Sequence, residues 1–155
     1  MPLHLLPIPH RQQQADGDCL AACAAMVLAY WQHDISYSAL LRLLRIQPYG
    51  APAGNIRLLS ALGVRVTYST TSLGGLQALL DRGLPLIVFV RTGELPYWSY
   101  QTDHAVVVIG YDEGHVYVND PDKSDAPIAV PAGDFELAWL ERDYAYALVA
   151  PSEDL

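Results

Sequence analysis

The chain has 155 residues, of which 52% are hydrophobic and 17% charged, and its formal net charge is −8. This length and composition predict a single domain, residues 1–155, with a sizeable core. Nucleic acid and anionic membranes are not expected as partners, because phosphate binding needs clustered Lys and Arg, and the chain has only 9 scattered ones.

The N-terminal segment and the cysteines bear on the expected location. Residues 1–9 lack a basic start, an unbroken apolar run and a small-residue cleavage site, so no signal peptide is predicted. No apolar run reaches the ~20 residues of a membrane span, so membrane insertion is not expected. Cys19 and Cys23 lie on one predicted helix, a poor geometry for a disulfide. We therefore expect reduced thiols and a cytoplasmic protein.

The first third of the chain is predicted to be helical. The apolar, Ala-rich run that begins at Cys19 follows Gly17 and Asp18, either of which is a plausible cap. It predicts a buried central helix. The helices expected in this third cover residues 19–31, 37–44 and 55–62.

After Gly63 the pattern changes to short β-rich runs. Strands are expected at residues 64–68, 86–90, 105–109, 116–119 and 144–149. A short helix is expected at residues 76–80 and another beginning at Gly133 or Asp134. Helices first and an antiparallel sheet second define the α+β class.

Cys19, at the start of the predicted central helix, is the strongest functional signal. Unpaired N–H groups at a helix start carry partial positive charge, which favours the thiolate that attacks carbonyl carbon. Cys19 is therefore the candidate nucleophile. Cys23, one turn further, is expected to be a buried small hydrophobic residue.

A base and a carboxylate for this thiol are predicted on neighbouring strands. His104 opens the apolar strand at residues 105–109, and Asp120 ends the following strand. In a set of Cys19, His104 and Asp120, the imidazole deprotonates the thiol and the carboxylate orients the imidazole. Tyr97, Trp98 and Tyr100, before His104, are expected either to line a cleft or to pack within their loop.

The hairpin between these strands decides which residue reaches His104. If its turn has three residues, Tyr111 lies opposite His115, and Asp120 is then diagonal to His104 on the same face. A two-residue turn would bring Asn119 to that face instead. We favour Asp120 and keep Asn119 as the alternative.

Gln13 is the candidate for a side-chain donor to the oxyanion. Attack on a carbonyl creates an oxyanion that needs two donors, and the backbone N–H of Cys19 together with a side-chain amide would supply them. Gln12 and Gln14 flank Gln13, so either neighbour is an alternative donor.

Several residues carry a resemblance to a known family, in this order along the chain: Gln13, Asp18-Cys19, Cys23, His104 and Asp120-Pro121. The chain resembles the papain-like double-glycine leader peptidases, which are the processing domains of bacteriocin exporters, and their stand-alone relatives. Members of that family usually have Gly after the nucleophile, where this chain has Leu20.

The resemblance implies a papain-like fold and a cysteine peptidase that acts on a peptide or protein, with cleavage after a Gly-Gly leader as one possibility. It implies Cys19 as nucleophile, His104 as general base and acid, Asp120 as orienting residue and Gln13 as oxyanion donor. It also implies an association with a transporter or another system component. No cofactor is expected.

Three other interpretations stay open at this stage. The first is a catalytically weak module that only binds a leader peptide. The second keeps the thiol chemistry but uses it for acyl transfer or amide hydrolysis. The third is a zinc site from Cys19, Cys23 and a histidine, although structural zinc needs four ligands.

Overall fold

The computed structural model describes residues 3–152. Its α-helices are α1 (Cys19–Tyr30), α2 (Tyr37–Leu43), α3 (Leu73–Asp81) and α4 (Ala132–Leu140), and two 3-10 helices cover Ala53–Leu62 and Thr92–Glu94. The strands are β1 (His4–Leu5), β2 (Val64–Thr70), β3 (Leu86–Arg91), β4 (Asp103–Tyr111), β5 (His115–Asn119), β6 (Ile128–Pro131) and β7 (Ala145–Pro151).

The strands form one antiparallel sheet in the order β2-β7-β3-β4-β5-β6, and β1 pairs with the far end of β4. β3 and β4 lie at its centre, and nearly every residue in them is buried. Such runs of buried β-branched residues are typical of strands that are covered on both faces. The sheet therefore holds His104, at the beginning of β4, in a rigid position.

The central helix α1 packs against β3, β4, β7 and α2. Its alanines let these elements approach closely, and Leu20, Met26 and Leu28 fill the remaining space at 3% exposure or less. The helix ends where Gln32 takes a positive φ of 59°. This packing fixes the N-terminal end of α1, where Cys19 lies.

The α+β class predicted from the sequence is confirmed, but several boundaries differ. The expected helix at residues 55–62 is a 3-10 helix that begins at Ala53, α1 ends at Tyr30, and α4 begins at Ala132. β1 and β6 were not predicted, because they have only 2 and 4 residues and no periodicity emerges over such lengths. No helix within residues 3–152 has the length and hydropathy needed to cross a membrane.

The β4–β5 hairpin corrects the turn that we expected. Tyr111 pairs with Val116 rather than with His115, and the Asp112 N–H donates to His115 O at 3.0 Å. Asp112 and His115 therefore close the hairpin, and the turn has two residues instead of three. A bulge at Ile109 adds one residue to β4, and beyond it Val107 pairs with Asn119. The bulge thus restores, at the His104 end, the register that a three-residue turn would have given.

Candidate active site

Cys19 is the first residue of α1, and its side chain is partly exposed in a cleft of about 520 Å³. Its backbone N–H has no acceptor within the helix, as for every residue of a first helical turn. The adjacent Asp18 is buried, and Tyr37 donates a hydrogen bond of 3.2 Å to its carboxylate. The thiol therefore combines access to a cleft with a rigid backbone.

His104 lies between Cys19 and Asp120. Its Nε2 is 2.7 Å from Asp120 Oδ1, and Cys19 lines the same cleft and raises the pKa of the ring. Because Nε2 is engaged by the carboxylate, Nδ1 is the ring nitrogen left for the thiol. His104 is only 5% exposed. The three side chains form one continuous row from the cleft into the protein.

The surroundings of His104 favour its charged form. Burial lowers the pKa of the imidazole, but the hydrogen bonds and negative charges of Asp120 and Cys19 outweigh burial and raise it to about 9. Burial likewise raises the pKa of Asp120, but the hydrogen bond and positive charge of His104 lower it below its ordinary value. These contacts therefore favour an imidazolium beside the Asp120 carboxylate.

Asn119, the alternative to Asp120, points to the other face of β5. Its Nδ2 donates to Ile8 O at 3.2 Å, and its side chain is buried there. Asn119 therefore ties the N-terminal segment to the sheet, whereas Asp120 meets His104. The restored register beyond the Ile109 bulge is the reason for this placement.

Asp120 is fully buried, at 0% exposure, and both of its oxygens accept hydrogen bonds. Besides His104, its donors are Tyr97 Oη at 2.7 Å, Trp98 Nε1 at 2.9 Å and the Asp122 N–H at 2.9 Å. The sequence placed Tyr97 and Trp98 only in a loop before His104. No pattern in the sequence indicated that their polar atoms meet this carboxylate.

Gln13 lines the same cleft as Cys19 and His104, whereas Gln12 and Gln14 line a different pocket. Its backbone N–H donates to Pro121 O at 2.7 Å, which joins the Gln13 segment to the loop after Asp120. Its amide nitrogen donates to Ala15 O at 3.0 Å and Asp16 O at 3.3 Å. In this conformation the side-chain amide therefore bonds to its own loop.

Cys23 does not take part in the cleft. It is completely buried in the core, and burial raises the pKa of its thiol well above the ordinary value, with a further contribution from the negative charges of Cys19 and Asp120. A buried, protonated thiol behaves as a small hydrophobic side chain. The two cysteines, one turn apart, therefore differ sharply in access.

The cleft runs between the helical part and the sheet. Its helical side comes from the loop at residues 47–53, and its sheet side from the β3–β4 loop and Phe89. Gly17 lies under the first loop, where a Cβ would approach Gln47 O and Pro48 O to 2.6 Å, so only glycine fits there. Leu20 lines the floor beside Cys19 and is 3% exposed.

The comparison with known families identifies the fold and its class. Residues 5–147 match the Peptidase_C39 like family, so the chain belongs to the peptidase C39-like family, whose fold is that of cysteine peptidases. No curated protein matches the sequence.

Solved structures share this fold. A Bacillus anthracis protein assigned to the C39-like peptidases is similar over 97% of this chain and 98% of its own, with a TM-score of 0.80 and 20% identity. A double glycine motif protease from an AMS/PCAT transporter, in complex with the leader peptide, is similar over 98% and 100%, with a TM-score of 0.75 and 19% identity. The peptidase domain of Streptococcus ComA, a bi-functional ABC transporter, is similar over 92% and 98%, with a TM-score of 0.76 and 22% identity.

Proposed function

We propose that this protein is an active cysteine peptidase that hydrolyses a peptide bond through a thioester on Cys19. The observation that carries the proposal is the position of His104, whose ring meets Asp120 through Nε2 and lines the same cleft as Cys19. In this proposal His104 is the general base and acid, and Asp120 orients it.

In the first half of the reaction, the Cys19 thiolate attacks the carbonyl carbon of the scissile bond. A C–S bond forms, and the carbonyl π pair moves to the oxygen. When the tetrahedral intermediate collapses, the C–N bond breaks and His104 gives its proton to the leaving nitrogen. In the second half, His104 takes a proton from water, which attacks the thioester. The C–S bond breaks, and a new carboxyl terminus leaves.

The oxyanion of each intermediate requires donors that face the cleft. The Cys19 backbone N–H at the start of α1 is one, and the Gln13 amide is the other in this proposal. Because that amide now donates to Ala15 O and Asp16 O, it has to exchange one of these bonds for the oxyanion when substrate binds. Gln13 would thus act mainly in the transition state.

Gln13→Ala is expected to lower kcat by about 100–1000-fold with little change in KM, because it removes a donor that engages only the oxyanion. Steady-state hydrolysis of a fluorogenic peptide measures both constants. Gln12→Ala and Gln14→Ala are matched controls and should leave kcat within about twofold of the parent, since neither lines the cleft. A similar loss in all three variants would contradict the oxyanion role of Gln13.

For the substrate, we propose a peptide or protein tail, with cleavage after a Gly-Gly leader as the first possibility to test. Support comes from the neighbouring structures of a double glycine motif protease with its leader peptide and of an ABC transporter peptidase domain. Delivery of the substrate by a transporter or another system component belongs to the same proposal. A reduced Cys19 is the reactive form, which fits a cytoplasmic location.

The test of the thiol chemistry needs no substrate. Iodoacetamide labelling of the native protein between pH 5 and 9, read by mass spectrometry, is expected to modify Cys19 and leave Cys23 unmodified. At pH 6 the labelling of Cys19 should be at least about tenfold slower in His104→Ala, because loss of the imidazolium removes the counter-charge of the thiolate. Slow labelling of Cys19 that does not depend on His104 would contradict the proposal and favour a module that only binds peptide.

A further inference from the structure

The Asp120 carboxylate is held from two sides. Oδ1 accepts from His104 Nε2 at 2.7 Å and from the Asp122 N–H at 2.9 Å. Oδ2 accepts from Tyr97 Oη at 2.7 Å and from Trp98 Nε1 at 2.9 Å. All of these neighbours donate to the carboxylate. Its orientation and its charge are therefore fixed, because rotation or protonation would break one of the bonds.

Trp98 also covers the pair that it supports. Its ring lies 4.8 Å from the His104 ring, and Lys123 Nζ lies 4.4 Å from the centre of the Trp98 ring. Because Lys123 is also paired with Asp122 at 3.1 Å, its position over the indole is held from a second side. The indole therefore keeps water away from the His104–Asp120 contact, where a low dielectric strengthens every hydrogen bond.

We propose that Tyr97 and Trp98 are positioning residues of this site: their hydrogen bonds to Asp120 Oδ2 keep the carboxylate ionised and turned so that Oδ1 meets His104. This inference rests on the proposed function for its consequence in catalysis. Its structural content, the control of the His104–Asp120 pair by two aromatic donors, does not depend on any substrate.

The physical reason lies in the balance between two states of Asp120 beside His104, the carboxylate and the carboxylic acid that forms when it takes up a proton. Burial favours the carboxylic acid, and each donor on Oδ2 favours the carboxylate. The other ionisable groups beside the pair are Asp122, Lys123, Cys19 and Cys23. None of them donates to Oδ2, so Tyr97 and Trp98 alone among these contacts hold the charge on that oxygen.

The experiment is an NMR titration of the Asp120 carboxyl group, labelled with 13C, in a Cys19→Ala background that removes the thiol from the equilibrium. Tyr97→Phe and Trp98→Phe each keep an aromatic ring and delete one donor to the carboxylate. The titration midpoint of Asp120 is expected to rise by about one pH unit in each variant, the change that matches one lost hydrogen bond to a buried charge. A midpoint that stays in place or falls would overturn the proposal.

Two matched variants control for the general effect of removing a buried polar atom. Tyr117→Phe deletes a comparable tyrosine–aspartate bond, of 2.6 Å to Asp112, at the far end of the hairpin, and Trp31→Phe deletes an indole bond of 2.7 Å to Val149 O. Neither should move the Asp120 midpoint. If Trp98→Phe fails to fold, Tyr97→Phe alone decides the outcome, because the phenyl ring fills nearly the same volume.

A kinetic measurement in the Cys19 protein separates this inference from the proposed function. Tyr97 does not line the cleft, so Tyr97→Phe is expected to lower kcat about tenfold and leave KM unchanged. A change in KM without a change in kcat would overturn the positioning role. If the parent protein cleaves no peptide, the proposed function fails, while the NMR titration still decides whether the two aromatic residues control the pair.

Discussion

Replacement of Cys19 by alanine is expected to abolish peptide hydrolysis. Without the thiolate no C–S bond can form, and the remaining groups have no nucleophile to activate. Removing the nucleophile from a set of groups that act together costs about a millionfold in kcat. Incubation with a peptide mixture that includes Gly-Gly sequences, followed by mass spectrometry of the products, measures this loss.

Cys23→Ala is the matched control for that experiment. It removes a thiol from the same helix, one turn further along, that is fully buried and outside the cleft. Its kcat should stay within about tenfold of the parent, because the loss is limited to packing. Equal loss of hydrolysis in both variants, with both still folded, would argue against Cys19 as the nucleophile.

The same products distinguish hydrolysis from the alternatives that use a thioester. In water enriched in 18O, hydrolysis places one 18O atom in the new carboxyl terminus of the product. Acyl transfer to an added amine instead gives an amide without the label. A product that carries no label in the absence of any amine would contradict the proposed deacylation by water.

The sequence predicted those parts of the fold that have strong local patterns. β3 and β4 are runs of buried β-branched residues, and α1 is an apolar, Ala-rich run with a cap position before it, so each has its own signal. β1 has no such signal, because its pairing with Tyr111 and Gly110 is made by a distant part of the chain. Long-range pairing of this kind is a property of the fold rather than of the segment.

In the β4–β5 hairpin the predicted turn was wrong, but the residue predicted to lie beside His104, Asp120, was right. The turn is one residue shorter than expected, which would have exchanged Asp120 for Asn119 beside His104. The bulge at Ile109 reverses this shift. Nothing in the apolar run of β4 identifies Ile109 as the extra residue, because a bulge depends on how the two strands meet.

The candidate site was only partly accessible from the sequence. Cys19, His104, Asp120 and Gln13 have residue types whose chemistry is recognisable, and the structure places all four around one cleft or directly behind it. Tyr97 and Trp98 lack such a signal, since an aromatic loop packs equally well in many ways. Their contact with Asp120 appears only when the β3–β4 loop folds over the end of β5.

Asp120→Asn is expected to lower kcat by about 10,000-fold, for a reason that the hydrogen bonds make specific. All four partners of Asp120 are donors, whereas an asparagine has one accepting oxygen and one donating nitrogen. If the nitrogen faces His104, the imidazole must accept through Nε2 and carry its proton on Nδ1, so it cannot deprotonate the thiol. If the nitrogen faces the other way, it meets Tyr97 and Trp98. Three donors then face one another with no acceptor among them.

Either arrangement also removes the negative charge beside the imidazole, so the pKa of His104 should fall from its raised value, and labelling of Cys19 at pH 6 should slow with it. Asp112→Asn is the matched control, because the Asp112 carboxylate bonds His115 and Tyr117 at the other end of the same hairpin, outside the cleft. It should leave kcat and labelling unchanged. Normal kcat in a folded Asp120→Asn variant would mean that His104 needs no anion behind it, and the roles assigned to this row of side chains would be wrong.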